Sequence, residues 1–123
     1  KKVKYGWDEK NDEAYNRIDL LYFFLVNNGM SRKNFEIFDY DNDILPIKNY
    51  DYVISLYSLD YHYDFSFYGE YFKKILNDNT KVIFDTIRPD FFKKIFENVE
   101  VINNEEKIIH SSKRIICNKL KNN

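Results

Sequence analysis

Residues 34–63 read NFEIFDYDNDILPIKNYDYVISLYSLDYHY. Phe35–Phe38 has the composition of a short strand, and Asp39, Asp41 and Asp43 alternate after it. Leu45-Pro46 marks a turn. Tyr52–Leu56 is then an apolar run broken only by Ser55, as expected of a strand buried on both faces. Where it stops, near Leu56 or Tyr57, a polar and aromatic cluster begins with Ser58 and contains Asp60, Tyr61, His62 and Tyr63. Strand, acidic turn, buried strand and polar cluster, in that order, are the layout of a doubly wound α/β protein. In such folds chemistry gathers at the carboxyl ends of parallel strands, so this order predicts Asp41 and His62 near one rim.

Outward from this stretch the chain alternates. Val3–Trp7 is a short strand candidate. Ile18, Leu21, Tyr22, Leu25 and Val26 fall at helical spacing, with Gly29 as a stop. Tyr68, Tyr71, Phe72, Ile75 and Leu76 write a second helix, which Asn77-Asp78-Asn79 ends. Lys81–Phe84 is the next strand, and Asp85 ends it. Pro89 suits the first turn of a third helix with the face Phe91, Phe92, Ile95, Phe96 and Val99. Glu100–Ile102 and Arg114–Cys117 read as final strands, separated by a polar connection that holds His110. The string β-α-β-β-α-β-α-β-β predicts an α/β fold: a Rossmann-like, mainly parallel sheet in three layers, with an antiparallel C-terminal strand pair. A frayed tail is expected over Lys119–Asn123.

Composition bounds the function. The 123 residues are 44% hydrophobic, enough for one packed core. Lys and Arg number 19 against 20 Asp and Glu, so no basic excess exists to neutralise a phosphate backbone, and nucleic acid is disfavoured as a partner. Tyr and Phe number 11 each, which fits either a stacking surface or an AT-rich coding sequence. Cys117 is the sole cysteine, which excludes a disulfide framework or a cysteine zinc site and leaves a buried structural thiol as the expectation. No apolar run reaches the roughly 18 residues of a membrane span. The opening KKVKYGW is too poor in apolar residues for a signal peptide, and a cytoplasmic protein is expected.

Three motifs, VKYGWDE at 3–9, FDYDNDILP at 38–46 and DYVISLYSLDYHY at 51–63, together resemble a class I S-adenosylmethionine-dependent methyltransferase read from its second strand onward. The resemblance runs over nearly the whole chain, and the order of the motifs is more specific than any one of them. It implies S-adenosylmethionine as cofactor, with Asp8 on the ribose and Asp41, beside Asn42, on the adenine amino group. It implies that Tyr57 and the residues after it face the methyl donor and acceptor. One departure stands out: the only glycines are Gly6, Gly29 and Gly69, so no Gly-x-Gly occurs. The family's first strand and Gly-rich loop are absent. Residues 1–123 are therefore expected to form a single partial domain, a fragment inactive alone.

Methyl transfer is an in-line displacement, so the protein positions two substrates and, for a hydroxyl acceptor, removes a proton. His62 is the first candidate base, since histidine titrates near neutrality and a neighbouring carboxylate can orient it. Asp60 is the second. The alternating Asp39, Asp41 and Asp43 lack the Gly and later Glu of a calcium loop, so no metal is expected. Asp85 and Thr86 sit either at the rim or as a cap before Pro89. Ser111-Ser112-Lys113-Arg114 reads as a polar hairpin rather than an anion site, and His110 reads as structural. The expected activity is methyl transfer to a small-molecule acceptor with a sugar-like hydroxyl. The alternatives are a non-catalytic binding or assembly module of the same fold and an RNA-binding domain with aromatic stacking platforms.

Overall fold

The computed structural model describes residues 18–40, 42–61, 63–103 and 111–121. It divides into two compact units, Lys1–Pro46 and Ile47–Asn123. The strand expected at Val3–Trp7 lies outside the described residues, as do Asp8, Asp41, His62 and His110.

In the first unit, α1 spans Ile18–Asn27. It ends where Gly29 adopts φ 86°, a left-handed conformation that costs glycine nothing. The Gly29 N–H donates to the Val26 carbonyl and the Met30 N–H to the Leu25 carbonyl, both at 3.0 Å. These two bonds satisfy carbonyls that the helix end would leave orphaned. The apolar stripe is only half-buried at Tyr22, Leu25 and Val26. Tyr22 meets the Phe35 ring at 5.8 Å, and Arg32 lies 5.2 Å from the Tyr22 ring centroid.

Phe35–Phe38 is not a strand. Half-buried and exposed residues alternate from Phe35 to Tyr40, the period of an extended chain, yet no partner strand pairs with it among the described residues. The acidic turn that follows closes on itself. The Asp39 N–H donates to the Asp43 carboxylate at 2.7 Å, the Asp43 N–H donates back to the Asp39 carbonyl at 2.7 Å, and the Asn42 amide donates to the Asp39 carboxylate.

The second unit is built on a four-stranded open mixed sheet: β1 Tyr52–Ser55, β2 Lys81–Thr86, β3 Phe96–Asn103 and β4 Lys113–Leu120, in the order β1-β2-β4-β3. β1 and β2 are parallel, with Val53 opposite Val82. β4 runs antiparallel to both of its neighbours, with Asp85 opposite Arg114 and Val99 opposite Cys117. The sheet is thus mixed rather than mainly parallel. The parallel crossover carries a 3-10 turn at Phe65–Tyr68 and α2 at Gly69–Ile75, while α3 is one turn at Pro89–Phe92.

The core lies on one sheet face, where Val82, Phe84, Ile115 and Cys117 meet Phe72 and Ile75 of α2 and Phe92 of α3. Phe65 is its hub, with ring contacts to Phe72, Phe84, Phe92 and Phe96 at 5.2–5.8 Å. The opposite face carries Tyr52, Ile54, Ile83, Arg114 and Ile116 by strand alternation.

Three further expectations are corrected. β1 is not buried on both faces: among the described residues it is an edge strand, and Tyr52 and Ile54 keep 55% and 60% exposure. The third helix does not reach Val99, because Phe96 already pairs with Leu120 and is wholly buried in the ladder. Residues Lys119–Lys121 are not frayed. Lys119 pairs with Glu97 at 2.6 Å, and the Lys121 N–H donates to the Ile95 carbonyl at 2.8 Å.

Candidate functional site

The carboxyl ends of the parallel strands β1 and β2 lie side by side, and the loop after β1 is bound to the end of β2 by two carboxylate–arginine clamps. The first centres on Asp85, which has no exposed surface although it occupies a strand. An ionised carboxylate survives burial only if it is paired and hydrogen-bonded. Arg114, opposite on β4, supplies the charge: its Nε lies 3.0 Å from Oδ1 and its Nη2 3.2 Å from Oδ2. The Tyr57 N–H donates to Oδ2 at 2.9 Å. Bonding to Asp85 raises the Arg114 pKa, fixing the guanidinium as charged.

The second clamp centres on Asp60, whose side chain is also fully buried. The Thr86 hydroxyl donates to Oδ2 at 2.6 Å, and Arg88 Nε lies 3.2 Å from each oxygen, with Nη2 also on Oδ1. The same Nη2 reaches Asp64 Oδ2 at 2.8 Å. The Arg88 N–H donates to the Thr86 hydroxyl at 3.0 Å, so the threonine accepts from one partner and donates to the other. The Arg88 pKa is raised, first by its bonds to Asp60. Asp64 begins the 3-10 turn by accepting from the Ser66 N–H and hydroxyl. Those bonds, with Arg88 behind them, hold its carboxyl at about 2.

Between the clamps the backbone is unusual. Tyr57 and Asp60 have φ 54° and 61°, left-handed values that cost a non-glycine residue about 1–3 kcal/mol and persist only where the surroundings over-determine them. Here the clamps do so, together with the Leu59 N–H on the Ser55 hydroxyl and the Asp60 N–H on the Tyr63 carbonyl. Leu59 is buried beneath the loop. Above it, the Tyr57 and Tyr61 rings meet edge-on at 6.3 Å, and Arg114 lies 5.8 Å from the Tyr57 ring centroid.

Of the residues singled out by sequence, the structure brings Tyr57, Asp60, Asp85 and Thr86 to one rim. Asn42 belongs to the other unit, with its amide on Asp39. Asp8, Asp41 and His62 lie outside the described residues. β1 ends at Ser55, one residue before the expected stop. Sequence reading missed Arg88, Arg114 and Asp64 as partners. Asp64 had a local signal, the Asp-x-Ser spacing of a cap; the arginines had none, since each contacts a carboxylate 28 or 29 residues away.

A groove of about 450 Å³ lies elsewhere, across β3 and β4, lined by Lys81, Glu97, Asn98, Val99, Glu100, Ile116 and Asn118, and it shares no residue with the rim. Among the described residues, no group of three or more His, Cys, Asp or Glu is arranged to hold a metal ion, and no helix is long and apolar enough to cross a membrane. No protein-family model, no curated protein and no solved structure matches this chain.

Proposed function

We propose that this chain is part of an S-adenosylmethionine-dependent methyltransferase acting on a small-molecule acceptor, with a sugar-like hydroxyl as the methylated group. The observation that carries the reading is the rim itself. The loop after β1, the part of the sequence with the family's donor-facing pattern, is pinned at the carboxyl ends of two parallel strands, where α/β sheets bind ligands. The antiparallel pair that closes the chain agrees with the same resemblance. A Rossmann-like, three-layer arrangement belongs to this proposal.

In this reading Asp8 holds the ribose, Asp41 and Asn42 the adenine, and Tyr57 the donor side. His62 removes the acceptor proton. Asp60, the second candidate base, has both oxygens engaged by Thr86 and Arg88 and works as the anchor of the loop that carries His62. His62→Gln in the complete gene product lowers turnover by roughly 10²–10⁴-fold with cofactor affinity unchanged. A retained rate removes the histidine from the chemistry.

One observation favours a second reading, a non-catalytic binding or assembly module of the same fold: the sequence contains no Gly-x-Gly to let backbone approach the cofactor. Absence of both cofactor binding and turnover in a protein that is folded would select it. For the RNA-binding alternative, the strands offer little stacking surface. Phe84 and Phe96 are fully buried, which leaves Tyr52 as the exposed aromatic within them.

A further inference from the structure

We infer that Asp85 and Arg114 are positioning residues of the rim: together they hold the Tyr57 backbone in its left-handed conformation and so set where the Tyr57 ring stands. Neither residue touches the cofactor in the proposed mechanism. The consequence for ligand binding rests on the methyl-transfer reading; the positioning itself does not.

Five observations carry the inference. Asp85 is completely buried, yet strand alternation puts it on the sheet face opposite Phe84 and the apolar core, so it is not a core residue. Its two oxygens are divided. Oδ1 takes Arg114 Nε, while Oδ2 takes both Arg114 Nη2 and the Tyr57 N–H. The Tyr57 N–H is the first backbone donor but one beyond the end of β1, where the ladder no longer fixes the chain. Tyr57 then has φ 54°, which tyrosine rarely adopts without such a hold. Arg114 also lies 5.8 Å from the Tyr57 ring centroid, so the residue that fixes Asp85 contacts the ring whose backbone Asp85 fixes. A carboxylate here does what a further strand would otherwise do: it accepts the backbone N–H and fixes the direction of the chain.

Two double variants separate positioning from simple stabilisation. Asp85→Leu with Arg114→Leu removes both charges and the acceptor while keeping apolar volume. Replacing a buried ion pair in this way commonly leaves stability unchanged or raised. Asp85→Asn with Arg114→Gln also removes both charges but keeps an amide oxygen for the Tyr57 N–H.

Amide hydrogen exchange in the complete protein reads the outcome. The apolar pair speeds exchange at Tyr57 by about tenfold or more, the loss of a hydrogen bond to a charged acceptor, while Ile83 and Ile116 stay protected. The amide pair keeps Tyr57 protected. Calorimetry with S-adenosylmethionine follows the same division, with affinity about tenfold weaker in the apolar pair alone.

Equal exchange at Tyr57 in the two double variants overturns the inference, because a purely structural ion pair does not distinguish them. If the apolar pair does not fold, an amide pair with Tyr57 unprotected and Ile83 protected overturns it as well. A wild-type protein that fails to bind S-adenosylmethionine removes the methyl-transfer reading, and the exchange pattern at Tyr57 still decides the positioning role.

Discussion

At the scale of single residues, the rim is governed by where charge is buried and what neutralises it. Asp64 is the exposed member of its clamp, and its carboxyl is held at about 2 against an ordinary 3.8 by the Ser66 bonds and Arg88. A depressed carboxyl contributes stability that is fully present above its unfolded value and is lost as pH falls through its folded value. The difference in thermal midpoint between wild type and Asp64→Asn is therefore constant above about pH 4 and shrinks between about pH 4 and pH 2. A difference that grew on acidification would contradict the assignment. Asp60 is the buried member. Arg88→Met leaves its carboxylate with Thr86 alone, and urea unfolding is expected to show a loss of about 1–3 kcal/mol. Because the Arg88 side chain is 41% exposed, water offsets part of the lost charge and keeps the value below that of a fully buried pair.

At the scale of elements, the core is concentrated around one phenylalanine while one edge of the sheet is thinly covered. Phe65→Ala removes the ring that meets Phe72, Phe84, Phe92 and Phe96, and is expected to cost about 3–5 kcal/mol. Ile54→Lys, on the exposed face of β1, is expected to change stability by no more than about 0.5 kcal/mol in the same denaturation experiment. Cys117 lies under the helices, and burial pushes its thiol up to about 12. Its alkylation at pH 8 should therefore be far slower than that of a free thiol and should speed up as urea raises the unfolded fraction.

These elements also show what was legible in the sequence. α1, α2, β1 and β2 were readable because apolar spacing and turn residues mark them locally, down to Gly29 and Asn77. The boundary between α3 and β3 was not. Phe91, Phe92, Ile95 and Phe96 fit a helical face, and only the long-range pairing of Phe96 with Leu120 makes the second half a strand. Phe35–Phe38 failed in the opposite way: its alternation is present, but alternation alone does not supply a partner. Phe65 escaped notice because a single aromatic in a 3-10 turn leaves no periodic signal.

At the scale of the whole molecule, the placement of the rim was legible and its chemistry was only partly so. That Tyr57, Asp60 and Asp85 gather where β1 and β2 end follows from the rule for parallel strands, which can be applied to sequence order alone. That Asp60 and Asp85 are each neutralised by an arginine does not follow: the Asp85–Arg114 pair depends on which strand lies beside β2, and the Asp60–Arg88 pair on how the loop after β1 folds back over the end of β2. The ends of β1 and β2 thus define a pre-shaped surface, held by two buried carboxylates and two left-handed residues, and we propose that the protein uses it to bind S-adenosylmethionine. Titration calorimetry of the complete gene product with S-adenosylmethionine tests it most directly. One-to-one binding is expected, weakened by about 1.5–3 kcal/mol in Asp41→Ala, the contribution of a hydrogen bond to a charged group. Absence of binding at millimolar cofactor would contradict it.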